Sequence, residues 1–266
     1  MTGKMTGRAV FFDIDGTLWD NKNRIADSTK EAVRALRENG HLVFLCSGRS
    51  RSYIREPELL GMDFDGIIGG CGTMIEYRGE TIFYKKLEPS LLEYTLRTVR
   101  KYGFRPILEG KEYLYMDEEE FGPDDPFGQK LRTELGGCLL SISGNWGKWE
   151  ASKLACATES ADRETCLKIL KDEYDFMIHN DAVLEMIPKG YHKGTGIIHI
   201  CDWLGIDTAD TVAFGDSAND VGMLHTAGIG IAMGSGSDEA KEAADYVTAG
   251  LYEDGIWKAC RHFGLI

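Results

Sequence analysis

Two aspartates, Asp13 and Asp15, stand two positions apart directly after a short apolar run from Ala9 to Phe12. Such a run is typical of a strand buried in a parallel sheet, and Gly16 ends it as a turn residue. Residues i and i+2 of an extended segment point to the same side, so the two carboxylates converge. A hard divalent cation such as Mg²⁺ relieves their repulsion. The pair predicts metal-assisted phosphoryl chemistry or, as the common alternative, a polar turn with an Asp cap.

Three further polar clusters follow predicted strands or begin predicted helices. They are Ser47, Lys193, and the group of Asp216, Asn219 and Asp220. Taken singly, each is more often a plain turn, a surface lysine or a helix cap. In an open α/β sheet, however, ligands bind at the carboxyl ends of the strands. Four clusters at equivalent positions therefore favour one shared phosphate site.

The residue types suggest a role for each member of that site. Asp13 would attack phosphorus and form an aspartyl-phosphate, while Asp15 would act as general acid and then as general base. Ser47 would donate its hydroxyl, and Lys193 would place a positive charge on the transferring oxygens. Asp216 would complete the carboxylate set of the metal.

The elements that must position these residues alternate between strands and helices. Ser28 to Asn39 predicts a helix capped by Ser28, and His41 to Cys46 predicts a second buried strand. The same alternation resumes after Lys189, where Thr211 to Phe214 predicts a strand before the Asp216 cluster. This order indicates a doubly wound, mainly parallel, Rossmann-like α/β sheet.

The middle of the chain departs from that order. Hairpin patterns and short strands around two helical segments indicate an α+β unit inserted into the first fold. We predict a catalytic core made of residues 1–81 and 189–266, with residues 82–188 forming an inserted cap domain that closes over substrate as a lid.

Composition limits which partners the chain is expected to bind and in which compartment it is expected to work. The 266-residue chain has a formal net charge of -13, which argues against nucleic acid or an anionic membrane as partner. Its seven cysteines form no C-x-x-C pair, which predicts a reduced, cytoplasmic protein. No apolar run approaches the roughly 18 residues that a membrane span needs.

The four motifs together resemble those of the haloacid dehalogenase-like superfamily. In order they read Asp13-x-Asp15-x-Thr17-Leu18, Ser47-Gly48-Arg49, Lys193-Gly194 and Gly215-Asp216-x-x-Asn219-Asp220. The flanking chain is similar to the Cof-type phosphatases of subfamily IIB, and an insertion between the second and third motifs is typical of a C2-type cap. Ser47 stands where such proteins frequently carry Thr, and either hydroxyl serves.

The resemblance implies a cytosolic, Mg²⁺-dependent phosphatase acting on sugar phosphates or other small phosphorylated metabolites. It implies Asp13, the backbone carbonyl of Asp15 and Asp216 as metal ligands. The residues predicted to bind phosphate or to support the ligands are Thr17, Ser47, Gly48, Lys193, Asn219 and Asp220. A phosphomutase or phosphotransferase of the same superfamily, and a non-catalytic phosphate-binding module, remain as alternatives.

Overall fold

The computed structural model describes residues 7–179 and 182–266, and it contains two sheets. The larger sheet is parallel from β14 to β3 and turns antiparallel where β4 joins β3. This arrangement confirms the predicted α/β, mainly parallel, Rossmann-like sheet. In spatial order its strands are β14 (Tyr246–Val247), β13 (Ile229–Ala232), β12 (Thr211–Gly215), β1 (Ala9–Phe12), β2 (Leu42–Cys46), β3 (Gly66–Gly69), β4 (Met74–Tyr77) and β5 (Glu80–Tyr84).

The central strand β1 lies between β12 and β2, and all four of its residues are buried. A strand covered on both faces has no solvated side, which explains its continuous apolar run. Aromatic rings link it to both neighbours, because Phe11 stacks on Phe44 at 5.0 Å and Phe12 stacks on Phe214 at 4.9 Å between centroids. These contacts fix the register that carries Asp13 to the carboxyl edge of the sheet.

Helices cover the larger sheet. Three of them contribute side chains to the apolar cluster around Phe11 and Phe44: α6 through Ile197 and Ile200, and α7 through Met223 and Leu224, while α8 adds Ala240. The helix α1 packs against β2 and against α9. The helices of this part are α1 (Asp27–Glu38), α2 (Pro57–Leu60), α6 (Lys193–Leu204), α7 (Val221–Thr226), α8 (Asp238–Ala243) and α9 (Gly255–His262).

The second sheet is mostly antiparallel. Together with its helices it forms an α+β unit. In spatial order its strands are β10 (Tyr174–Ile178), β11 (Val183–Pro188), β9 (Lys153–Ala157), β6 (Arg105–Glu109), β7 (Leu114–Tyr115) and β8 (Leu139–Leu140). The helices of this part are α3 (Pro89–Lys101), α4 (Pro126–Leu135) and α5 (Arg163–Leu170). One of the hairpin patterns predicted for the middle of the chain is confirmed, because β10 and β11 pair antiparallel. Asn180 and Asp181, which the sequence pattern places between them, lie outside the described residues.

The chain forms two compact units. The first comprises residues 1–48, 55–83 and 192–266, and the second comprises 49–54 and 84–191. The short segment 49–54, which follows the Ser47 motif, thus belongs with the second sheet. Ser52 accounts for part of this association, since its hydroxyl donates a hydrogen bond to the carbonyl of Gly110 at 2.7 Å. The assignment of the two units as catalytic core and cap stays a prediction.

Candidate active site

Asp13 is the first residue after β1, and its backbone amide donates to the carbonyl of Phe214 at 2.9 Å. The neighbouring strand β12 therefore places Asp216 beside Asp13. Gly16 makes this close approach feasible, since its φ of +88° lies in the left-handed region and a Cβ there would stand 2.2 Å from Oδ2 of Asp216. The loop after β1 can turn here only because this position lacks a side chain.

Lys193 opens α6 and is fully buried. Its Nζ donates to Oδ1 of Asp13 at 2.5 Å, to Oδ1 of Asp220 at 2.6 Å and to Oδ1 of Asn219 at 3.1 Å. An ammonium group has three donors, and these contacts use all three. The lysine therefore joins the first, third and fourth motifs at a single point.

The loop after β12 is held by Asp220. Its Oδ2 accepts from the amides of Asp216 at 2.9 Å and Ser217 at 3.0 Å. The hydroxyl of Thr17 donates to Oδ1 of Asp216 at 3.1 Å, which ties this loop to the one after β1. As a result, carboxylate oxygens of Asp13, Asp216 and Asp220 lie within 4.8 Å of one another.

Charge in the site is unevenly balanced, with three carboxylates around one ammonium group. Burial raises the pKa of Asp13 well above its usual range, and Asp220 adds to this effect against the opposing charge of Lys193. Burial and Asp220 together raise the pKa of Asp216 to about 6. Although burial opposes it, the pKa of Lys193 is raised because Asp13 and Asp220 favour the ammonium form. The site therefore favours an additional cation.

The remaining predicted residues occupy the same edge of the sheet. Asp15 is exposed, and the indole Nε1 of Trp19 donates to its Oδ1 at 2.9 Å. Ser47 is buried after β2, where its amide donates to the carbonyl of Ile68 at 2.8 Å, and Gly48 follows it. The described contacts thus join Thr17, Asp13, Asp216, Asn219, Asp220 and Lys193 directly.

Two contributors were missed by sequence reasoning. Trp19 orients Asp15, and its place four residues later was the available signal. Ser217 holds the loop after β12, since its hydroxyl donates to Oδ1 of Asn219 at 2.9 Å. Its place in the polar turn of the fourth motif was the signal, because serine hydroxyls in turns commonly form local hydrogen bonds.

This fold and site fall within a known class of protein. The model of the haloacid dehalogenase-like hydrolase family matches residues 10–260, so the chain belongs to that family. The resemblance seen in the four motifs is thereby confirmed. No helix within residues 7–179 and 182–266 combines the length and the apolar character that crossing a membrane requires.

Proteins similar to this chain along nearly its whole length include phosphatases. The chain is 26% identical to the 5-amino-6-(5-phospho-D-ribitylamino)uracil phosphatase YitU of Bacillus subtilis (strain 168), over 96% of each chain. It is 24% identical to a phosphoglycolate phosphatase of Methanobrevibacter smithii, over 97% of this chain and 98% of that one. Among solved structures, the HAD subclass IIB sugar phosphatase BT4131 matches with a TM-score of 0.81 and 29% identity, over 97% of this chain and all of the other. The family match and these relatives confirm the prediction that the protein is a phosphatase.

Proposed function

We propose that the protein is a Mg²⁺-dependent phosphatase that hydrolyses small phosphomonoesters through an aspartyl-phosphate on Asp13. The observation that carries the proposal is the contact of Lys193 Nζ with Asp13 at the carboxyl end of β1, inside a cluster of two further carboxylates. A buried ammonium beside the attacking carboxylate favours the ionised form that a nucleophile requires, and so opposes burial and Asp220, which raise the pKa of Asp13.

The residues of the site fit a magnesium ion. The available donors are oxygens only, from Asp13, Asp216 and Asp220, and hard cations prefer oxygen ligands. Burial and then the charge of Asp220 raise the pKa values of Asp13 and Asp216, so a bound cation would favour the ionised form of both carboxylates. We assign Asp13, the backbone carbonyl of Asp15 and Asp216 as ligands, with Asp220 in support. When bound, the ion would polarise the phosphoryl oxygens and neutralise their charge.

The chain's own residues then carry out two steps. An oxygen of Asp13 forms a bond to phosphorus while the bond from phosphorus to the leaving oxygen breaks, and Asp15 donates a proton to that oxygen. Asp15 next takes a proton from water as the water attacks the phosphorus of the aspartyl-phosphate. This releases inorganic phosphate and restores Asp13. Thr17, Ser47, Gly48 and Asn219 would hold the phosphoryl group or its partners in place.

We propose that the substrate is a small phosphorylated sugar or a related metabolite. The support comes from relatives named for such compounds, among them a sugar phosphatase and a phosphoribitylaminouracil phosphatase. We further propose that residues 82–188 act as the inserted cap domain and that the protein works in the cytosol. The seven cysteines, all within the described part of the chain, support this location because none of them forms a disulfide.

A substrate panel with and without metal tests the function. Sugar phosphates, nucleotides and other phosphomonoesters should release inorganic phosphate without an added acceptor when Mg²⁺ is present. A chelator should lower kcat/KM by about a hundredfold or more, because the metal contributes several kcal/mol to stabilising the transition state. Mg²⁺ at about 100 times its Kd should also stabilise the fold by about 2.7 kcal/mol, which a thermal melt reports.

Two outcomes of the same panel would contradict hydrolysis. Phosphate appearing on a second sugar rather than in solution would make the protein a phosphotransferase or mutase. A thermal shift with Mg²⁺ but no turnover of any compound would make it a binding module.

Replacing Asp15 with asparagine tests the acid–base assignment. Asparagine cannot protonate the leaving oxygen, so we expect turnover of an alkyl phosphate to fall by about 10² to 10⁴. An activated aryl phosphate needs little protonation, so its first turnover should survive as a burst of released phenolate before slow hydrolysis. Rapid-quench kinetics on both substrates makes the comparison. Unchanged steady-state turnover of the alkyl phosphate would remove Asp15 from this role.

A further inference from the structure

The chain that follows Asp15 folds back beside it and brings Trp19 into contact. Trp19 pairs with Asp15 on one side and with Ile25 on the other through single β-bridges. The carbonyl of Trp19 accepts from the amide of Gly16 at 2.9 Å, and its own amide donates to the carbonyl of Ile14 at 3.2 Å. The backbone of Trp19 is therefore fixed next to Asp15.

The side chains of Trp19 and Asp15 differ in exposure. Trp19 is 1% exposed, whereas Asp15 is exposed. The indole Nε1 donates to Oδ1 of Asp15 at 2.9 Å. Close packing around a buried ring restricts it to one orientation, so the N–H stays directed at this oxygen. A rigid group thus holds a carboxyl group that would otherwise rotate in water.

A cluster of polar groups around Asp20 holds the next residue of this turn. Oδ1 of Asp20 accepts from the amides of Lys22 at 2.9 Å and Arg24 at 3.0 Å. Its Oδ2 accepts from Nε of Arg24 at 2.8 Å and from the hydroxyl of Tyr252 at 2.9 Å. Tyr252 thereby connects the turn that contains Trp19 to the C-terminal part of the same compact unit.

The contact with Trp19 makes the two oxygens of Asp15 different. An indole N–H can only donate, so Oδ1 of Asp15 is the acceptor. A protonated carboxyl group has one hydroxyl oxygen and one carbonyl-type oxygen, and the carbonyl-type oxygen is the better acceptor. The N–H at Oδ1 therefore favours the acid form in which the proton is on Oδ2.

We propose that Trp19 is a positioning residue for proton transfer: its indole N–H holds Oδ1 of Asp15, so that the proton for the leaving oxygen is carried on Oδ2. This inference rests on the proposed phosphatase function. When the phosphorus–oxygen bond breaks, the bond from Oδ2 to hydrogen breaks and the leaving oxygen takes that proton. Oδ2 then takes a proton from the attacking water, with the carboxyl group held in the same orientation.

Replacing Trp19 with phenylalanine tests this role. The variant keeps an aromatic ring but has no donor for Oδ1 of Asp15. We expect kcat for an alkyl phosphate to fall about tenfold or more, with little change in KM, because a hydrogen bond to a charged group is lost. The burst of phenolate from an activated aryl phosphate should keep its wild-type rate, since that leaving group needs little protonation. The alkyl-to-aryl rate ratio should therefore fall, which a general loss of structure would not cause.

The matched control is Trp149→Phe. Trp149 is also buried, and its Nε1 donates to the carbonyl of Ile142 at 2.9 Å in the second unit. This variant loses the same kind of hydrogen bond but should keep the wild-type alkyl-to-aryl ratio. If Trp19→Phe fails to fold, benzothienylalanine at position 19 replaces the indole N–H with sulfur in a ring of nearly the same shape, and the same ratio is measured on it.

The indole N–H also gives a readout that needs no turnover. In a proton–nitrogen correlation spectrum, the indole signal that Trp19→Phe removes should move in Asp15→Asn, because its acceptor is no longer charged. It should stay in place in Asp27→Asn, which changes an exposed residue of α1. An unmoved signal in Asp15→Asn, or an unchanged alkyl-to-aryl ratio in Trp19→Phe, would overturn the proposal while leaving the phosphatase function intact. Absence of all wild-type turnover would instead refute the proposed function and, with it, the role given to Trp19.

Discussion

Replacing Asp13 with asparagine is expected to abolish phosphate release while leaving the protein folded. The amide oxygen of asparagine is a poor nucleophile, so no aspartyl-phosphate forms, and we expect kcat to fall by about four orders of magnitude or more. The fold should tolerate the change, because asparagine loses the ion pair with Lys193 but also the repulsion from Asp216 and Asp220. Steady-state phosphate release measures the first effect, and a urea melt measures the second.

The matched control is the same chemical change at Asp27, an exposed residue in the first turn of α1. Asp27→Asn should retain wild-type turnover. Intact-mass analysis after rapid quenching should find covalent phosphate on wild type and on Asp27→Asn, but not on Asp13→Asn. Turnover of Asp13→Asn within about a hundredfold of wild type would refute the nucleophile assignment.

Replacing Lys193 with methionine is expected to damage both stability and activity. Methionine nearly matches the lysine in length but leaves the buried carboxylates of Asp13 and Asp220 without their shared partner. Removing one member of a buried ion pair costs about 3–5 kcal/mol, which denaturant unfolding would show. Loss of a charge that stabilises the transition state should lower kcat by about 10² to 10³.

A pH profile distinguishes the catalytic from the structural effect of this change. Lys193 lowers the pKa of Asp13 against burial and Asp220, so its removal moves that pKa further upward. The nucleophile must be ionised, and the acidic limb of kcat/KM should therefore move to higher pH. An unmoved limb would leave Lys193 with a structural role only. Lys189→Met, at an exposed pair with Asp175, should change stability by less than about 1 kcal/mol and leave the profile unchanged.

Local patterns in the chain identified most of the elements. The buried run before Asp13, the second buried strand that ends at Cys46, and the strand before the Asp216 cluster each depend on neighbours a few residues away. The ends of the elements were predicted less accurately than the elements themselves. The predicted cap Ser28 lies inside the first turn of α1, which begins at Asp27 after Ala26, and Ala26 makes no capping bond.

Contacts between distant residues could not be derived in the same way. Lys193 and Asp13 are 180 positions apart, and their 2.5 Å contact depends on how β1, β12 and the start of α6 are placed together. The membership of segment 49–54 in the second unit, and the buried Glu109, had no local signal. In the sequence, Glu109 follows an apolar run, and no nearby pattern distinguishes it from an exposed glutamate.

The sequence by itself determined the chemistry available to this protein: the paired aspartates, the hydroxyl, the lysine and the fourth-motif carboxylates, each at the end of a strand or the start of a helix. Motif spacing and apolar periodicity are short-range properties, so they can be followed along the chain. Only the tertiary structure decided which charges meet. It placed Lys193 on three partners at once, brought Asp220 into the carboxylate cluster, and left Oε2 of Glu109 without a donor among the residues described. Burial and packing set these outcomes, because they depend on the whole fold rather than on neighbours in sequence.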